Sequence, residues 1–246
     1  MKYTIRILRR DRGSTESYIQ DFEYETENDS DTAATALTSL NSREALTDIS
    51  GLPARAIEWE CSCLQKKCGA CAMRINGRPG LACDAVLADF GKNIIELEPL
   101  RKFPVICDLT VDRSILFENL KTLRLWLAQT SDPSDKMQEL AYESSECLQC
   151  GCCLEICPNF YAGGKFFGMS AVPVTTRLLA QMSKAEYKEI SRLYSKHIFS
   201  GCGKSLACRD ICPKKIDTEK LLVNANALAV WKRNGNAHFV RSVNNE

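Results

Sequence analysis

Residues 2–9 (Lys-Tyr-Thr-Ile-Arg-Ile-Leu-Arg) alternate polar and apolar side chains, the period of a strand with one buried face. Tyr18-Ile-Gln-Asp-Phe-Glu-Tyr-Glu-Thr26 repeats that period and predicts a second strand. The polar run Glu27–Asp31 reads as a turn carrying helix-start residues. Alanine and leucine spacing over Ala33–Leu40 then suits a short helix, and Gly51-Leu52-Pro53 breaks the chain again. Ala72–Cys83 reads as two short strands around Asn76-Gly77, the strongest short hairpin signal. Asn93–Pro99 closes the unit with another strand. A mostly β unit with one helix results.

The pattern changes after a connecting stretch, Leu100–Val111. Asp112 is placed to cap a helix with Ile115, Leu116, Asn119, Leu120, Leu123, Trp126 and Leu127 along one side. Thr130–Ser134 breaks the chain, and Ser183-Lys-Ala-Glu186 is a capping box opening another helix. Asp217 can cap a last helix with Leu221, Leu222, Ala225, Leu228 and Ala229 on one face, ended by Lys232-Arg233 and Gly235. Those stripes are core or subunit interface. The fold class is therefore α+β, with a β-rich domain over residues 1–103 and an all-α domain over 104–246.

Composition narrows the function through one residue type. Lys+Arg 32 against Asp+Glu 31 leaves a net charge of +1, without the basic footprint of a nucleic-acid binder. A hydrophobic fraction of 45% is ordinary; 14 cysteines are not. Met1–Arg10 has no apolar h-region, so no signal peptide is expected, and no run reaches the ~20 apolar residues of a membrane span. Without export, clustered thiols are better explained by metal than by disulfides.

Their spacing is specific. Cys147-Leu-Gln-Cys150-Gly-Cys152-Cys153-Leu-Glu-Ile-Cys157-Pro158 is a C-x2-C-x2-C-x3-C-P run, the bacterial ferredoxin signature, whose fourth cysteine ligates a neighbouring cluster in two-cluster proteins. The implied second stretch exists: Cys202-Gly-Lys-Ser205-Leu-Ala-Cys208-Arg-Asp-Ile-Cys212-Pro213, with Ser205 in the middle cysteine's place. Upstream, Cys63-x4-Cys68-x2-Cys71 with Cys83 beyond has the plant-type 2Fe–2S spacing, and Gly69 lets the backbone come close to the sulfides. The competing reading is a zinc-stabilised interaction module, since Cys68-Gly-Ala-Cys71 alone suits a zinc ribbon. A ribbon pairs two such units, however, and here only Cys83 follows.

The order of parts, a plant-type domain and then a helical domain with two ferredoxin motifs, resembles the iron–sulfur subunit of succinate dehydrogenase and fumarate reductase. Leu100-Arg-Lys-Phe-Pro-Val-Ile-Cys-Asp-Leu-Thr-Val-Asp112 is similar to that family's interdomain segment. The resemblance implies a β-grasp plant-type ferredoxin fold for residues 1–103. It implies 2Fe–2S ligands Cys63, Cys68, Cys71 and Cys83; 4Fe–4S ligands Cys147, Cys150, Cys153 and Cys212; and 3Fe–4S ligands Cys157, Cys202 and Cys208. It further implies a relay from an FAD-containing flavoprotein subunit, met by the Cys63–Cys71 loop, to quinone. The quinone would lie at a cytochrome b-type membrane anchor, on the cytoplasmic side of the membrane, with no substrate chemistry in this chain. Cys61, Cys107 and Cys152 are left without a ligand role, Cys107 as a small buried residue, and His197 and His238 are structural or exposed. Ala162 and Gly203 stand where many relatives carry a quinone-pocket tryptophan and histidine. That places the resemblance closer to the fumarate reductase side, or to relatives with a different anchor or no quinone, and keeps open a soluble relative using a thiol or another donor. Lys66 and Lys67 are either a docking patch for an acidic partner or a solvated pair.

Overall fold

The computed structural model describes residues 1–126, 135–179 and 184–231. Strand β1 (Lys2–Arg10) pairs antiparallel with β2 (Ser17–Glu25), Ile5 lying opposite Phe22. The alternation read from the sequence sends Tyr3, Ile5 and Ile7 inward. The inner face is covered by α1 (Ala33–Asn41), which buries Ala33, Ala36, Leu37 and Leu40. Thr32 caps it reciprocally: its hydroxyl accepts from Thr35 N, and the Thr35 hydroxyl accepts from Thr32 N. Asn76 and Gly77, at φ 47° and 81°, turn β3 (Ala72–Ile75) into β4 (Arg78–Leu81). Strand β5 (Ile94–Glu98) runs parallel to β1 and antiparallel to β3, giving a five-stranded sheet of order β2-β1-β5-β3-β4.

The connection holds more structure than its sequence announces. It forms a hairpin of β6 (Val105–Cys107) and β7 (Thr110–Val111), turned through Asp108 at φ 43°. Asp108 is fully buried and accepts from Arg9 Nε (3.2 Å) and Nη2 (2.8 Å), both Arg55 Nη atoms (2.7 Å each), and the N–H groups of Arg10 and Glu58. Burial alone would raise its pKa, yet the two guanidinium groups hold it below the ordinary value. Leu109, Val111 and Leu116 join the core of the sheet, so the first packing unit runs past the connection. Cys107 is a buried small side chain whose thiol donates to Arg10 O.

Helix α2 (Ser114–Thr122) starts one residue later than a cap at Asp112 predicts: Arg113 is the N-cap residue, and Asp112 before it accepts from Ser114 N at 2.8 Å. Leu116, Asn119 and Leu123 are buried. The helix ends at Thr122, so Trp126 does not extend its stripe and stands 55% exposed. Leu127, the Thr130–Ser134 break, the capping box at Ser183, the Lys232–Gly235 stop and His238 lie outside the described residues. Helices α3 (Asp135–Ser145), α4 (Cys152–Glu155), α5 (Ala171–Leu179), α6 (Lys184–Tyr194) and α7 (Thr218–Asn226) follow. Residues 195–199 and 227–231 are π-helical continuations of α6 and α7. Asp217 caps α7 by accepting from Lys220 N at 2.9 Å, and Leu221, Leu222, Ala225 and Ala229 are buried as their spacing predicts. A second core gathers Leu123, Val172, Ile190, Tyr194 and Leu221. Among the described residues no helix is long and apolar enough to cross a membrane.

Candidate metal centres

The first thiol group sits on the rim of the sheet. Cys63 and Cys68 belong to the loop before β3, Cys71 ends that loop, and Cys83 lies in a short 3-10 turn after β4 (Ala82–Asp84). The β3–β4 hairpin brings the last two together, with Cys71 Sγ 3.4 Å from Cys83 Sγ. Left-handed Leu64, Lys66 and Gly69 coil the loop so that its amides turn inward. Gln65 N and Lys67 N donate to Cys63 Sγ, and Lys66 N to Cys83 Sγ, each at 3.3 Å. The N–H groups of Gln65 and Lys67 draw the Cys63 thiol down to about 7, whereas burial pushes Cys71 up to about 12, with Cys83 adding to the rise. Lys66 is paired with Asp84 at 2.6 Å, whereas Lys67 is exposed and has no ion pair among the described residues. Cys61 is exposed beside the loop.

The two ferredoxin-type motifs fold as loops between helices. Burial pushes Cys147 up to about 11, and the thiols of Cys150 and Cys212 add to it. Cys153 is raised by burial and then by Cys150, Cys147, Cys208 and Cys212. Cys208 is raised by burial and then by Cys157 and Cys202. The thiols of the two motifs thus lie near one another, Cys208 and Cys212 acting on Cys153 and Cys157 acting on Cys208. Gln149 Nε2 donates both to Cys147 Sγ (3.3 Å) and to Ser170 O (2.8 Å). Cys157, Cys202, Ser205 and Cys208 line one cavity, closed by Met169, Val172 and Leu222. Cys152 is fully buried, packs into the core of the sheet, and is hydrogen-bonded through its thiol to that of Cys150. His197 stacks on Phe167 at 4.4 Å and bonds Lys165 O through Nδ1, a packing role.

The donors suit iron–sulfur clusters. Every group is made of sulfur, the soft ligand such clusters select, and backbone or amide N–H groups point at the sulfurs, as expected around thiolates. None of the 14 cysteines is in a disulfide. The sequence did not reveal two residues that bear on these loops, Arg113 and Glu155. The hydrogen bond from Cys152 draws the Cys150 thiol down to about 7, and the guanidinium of Arg113, the residue before α2, adds to that fall.

Comparison with known proteins agrees with this arrangement. The family model of a 2Fe-2S iron-sulfur cluster binding domain matches residues 4–118, and that of a 4Fe-4S dicluster domain matches residues 143–216. The succinate dehydrogenase iron–sulfur subunit of Bacillus subtilis is 36% identical over 181 residues, covering 69% of this chain and 70% of that protein. The fumarate reductase iron–sulfur subunit of Wolinella succinogenes is 30% identical over 174 residues, covering 65% and 72%. A chain of the Mycobacterium smegmatis Sdh1 complex in the apo form superposes with a TM-score of 0.73 at 20% identity, covering 97% of this chain and 99% of that one, a likeness of fold. Matched at 36% and 30% identity over more than two thirds of each relative's length, the chain belongs to the family of succinate dehydrogenase and fumarate reductase iron–sulfur subunits.

Proposed function

We propose that the chain is the electron relay between a flavoprotein subunit that interconverts succinate and fumarate and a quinone-linked membrane anchor of cytochrome b type. Cys63, Cys68, Cys71 and Cys83 would hold a 2Fe–2S cluster, and Cys147, Cys150, Cys153 and Cys212 a 4Fe–4S cluster. Cys157, Cys202 and Cys208 would hold a 3Fe–4S cluster. When bound, these groups supply one-electron carriers; the chain supplies spacing, burial and hydrogen bonds to sulfur, which set their potentials. The cavity that Cys157 of the first motif shares with Cys202 and Cys208 of the second carries the reading. It binds the two ferredoxin-type centres into one body, as a relay requires.

Ser205 decides the third centre. It lines the cavity with the three thiols, and its hydroxyl is a hard, weakly acidic donor beside thiolates. That corner is left without iron, which leaves a 3Fe–4S centre. The flavoprotein then faces the Cys63–Cys71 loop, and the anchor faces the Cys202–Ser205 end near Pro158. The chain sits peripherally on the cytoplasmic side of the membrane through these subunits. One observation favours a second reading, with a thiol or other non-quinone donor at that end. A Cβ on Gly203 would lie 2.8 Å from Asn159 Nδ2, which donates to Gly201 O at 2.8 Å, so Asn159 already fills the space a quinone-pocket side chain would take.

The test is anaerobic purification with native partner subunits, then iron and acid-labile sulfide analysis, paramagnetic resonance, and assays with succinate, fumarate and quinone analogues. Three cluster signals with quinone-coupled turnover are expected. Zinc as the main metal would sink the relay, and turnover with thiols but not quinone analogues would select the second reading.

A further inference from the structure

The loop of the first thiol group and that of the second meet at Gly69. A Cβ there would lie 2.9 Å from Cys150 Cβ, 3.0 Å from Leu148 O and 3.2 Å from Cys150 Cα, and the residue sits at φ +77°. Backbone atoms cannot yield as the end of a flexible side chain can, so a side chain at 69 would force the loops apart. Arg113, just before α2, spans the same junction. Its Nη1 donates to Gly69 O at 2.9 Å and reaches Cys150 O at 3.4 Å; its Nη2 donates to Ala70 O at 2.9 Å and pairs with Glu60. The side chain is only 15% exposed. A largely enclosed guanidinium that holds carbonyls from two cysteine loops at once exceeds what starting a helix requires, since Asp112 already accepts the amide of Ser114.

We propose that Gly69 and Arg113 form an intercluster clamp, positioning residues that fix the separation of the 2Fe–2S and 4Fe–4S centres and set a positive charge between their loops. The inference rests on the ligand assignment above. Passage between the centres moves one electron, oxidising the donor and reducing the acceptor, with no bond made or broken and no proton required. Its rate therefore depends on separation and on the difference in potential. Gly69 serves the first, by contact. Arg113 also serves the first, through its hydrogen bonds to both loops, and it raises the potential of each centre, because a nearby cation favours the more negative, reduced form. The partner Glu60 is 44% exposed and shields that charge only in part.

The clamp is tested in the full chain purified with its partner subunits, as wild type, Arg113→Gln, Arg113→Lys and Gly69→Ala. Iron, sulfide and the cluster signals are measured first. With clusters loaded, Arg113→Gln is expected to lower both reduction potentials, and Arg113→Lys to restore most of that shift because the charge returns. Gly69→Ala keeps the charge. It is expected to weaken the spin coupling between the reduced 2Fe–2S and 4Fe–4S centres and to slow electron transfer between them several-fold. Loaded Arg113→Gln and Gly69→Ala proteins with wild-type potentials, spin coupling and transfer rate would overturn the clamp alone. Cluster signals missing from the wild-type protein would overturn the ligand assignment, and the clamp with it.

Discussion

The loops Cys147–Cys157 and Cys202–Cys212 are two copies of one backbone device with opposite surroundings. Gln149 and Lys204, at matching positions, both take left-handed φ values, 52° and 55°; so do Gly151 and Leu206, at 88° and 53°. The first copy is pinned to the sheet. Glu155, 4% exposed, accepts from Arg74 Nη1, Arg101 N and Lys102 N at 3.0–3.1 Å. In the second copy, the matching Asp210 is exposed, as is Ser205 where the first has Cys150. A similar left-handed trace can thus serve an interior centre in one place and an open, terminal one in the other. Surroundings, more than loop shape, separate the two roles.

The sharpest way to break the comparison is to remove the cysteine that crosses between the copies. Cys212→Ser lies in the second loop, yet its thiol acts on Cys147 and Cys153. Loss of the 4Fe–4S signal is expected, with most of that centre's iron, while the 2Fe–2S signal persists; iron content and paramagnetic resonance check this. A loss confined to the 3Fe–4S signal would show that each loop holds its own cluster. Next in size, Ser205→Cys restores the missing thiol and should add one iron. The oxidised protein would lose its 3Fe–4S signal and gain a reducible 4Fe–4S one. An oxidised wild-type sample with no 3Fe–4S signal would end the assignment of Ser205 as an empty corner.

Much of this was legible because it is local. The period-2 strands, the Asn76-Gly77 turn, the Asp217 cap and the cysteine spacings are all written within a dozen residues. What escaped is long-range. Arg9 ends a strand like any surface cation, and only the fold reveals that its carboxylate, Asp108, lies 99 residues away in a hairpin hidden inside the connection. Arg113 and Glu155 likewise act across the domains, so no spacing marks them. Gly69 could be read as serving the sulfides, but its contact with Cys150 appears only when the loops are packed. Trp126 misled for the opposite reason: its spacing fits the α2 stripe, but the helix ends before it.

The pins give the third prediction. Glu155→Ala leaves Arg101 N and Lys102 N without their acceptor and removes one partner of Arg74, which keeps Glu98 at 3.0 Å. Losing a buried, charge-assisted acceptor of this kind costs about 2–4 kcal/mol. Asp210→Ala, at an exposed position, should stay within about 0.5 kcal/mol. Denaturant midpoints followed through the visible absorbance of the clusters measure both. Equal effects would mean the first loop is no better anchored than the second.

The smallest predicted difference lies at the left-handed pair. Gly151→Ala puts a Cβ at φ +88°, which costs about 1–2 kcal/mol for an L-residue. The new methyl group also meets Phe103 Cζ at 3.0 Å and Cε2 at 3.2 Å. The ring end can shift by a few tenths of an ångström, so the backbone term should dominate. In the second loop Leu206 already bears that strain at φ 53°. Leu206→Gly relieves it but adds about 0.5–1 kcal/mol of unfolded-chain entropy, so the two terms nearly cancel. The expected result is a lowered midpoint for Gly151→Ala and almost none for Leu206→Gly, read by thermal bleaching of the loaded protein. If Leu206→Gly instead lowers the midpoint as far as Gly151→Ala, Leu206 is held by its packing in the cavity it shares with Ser205. The second loop's shape would then come from the side chains around its centre and not from the backbone trace it shares with the first.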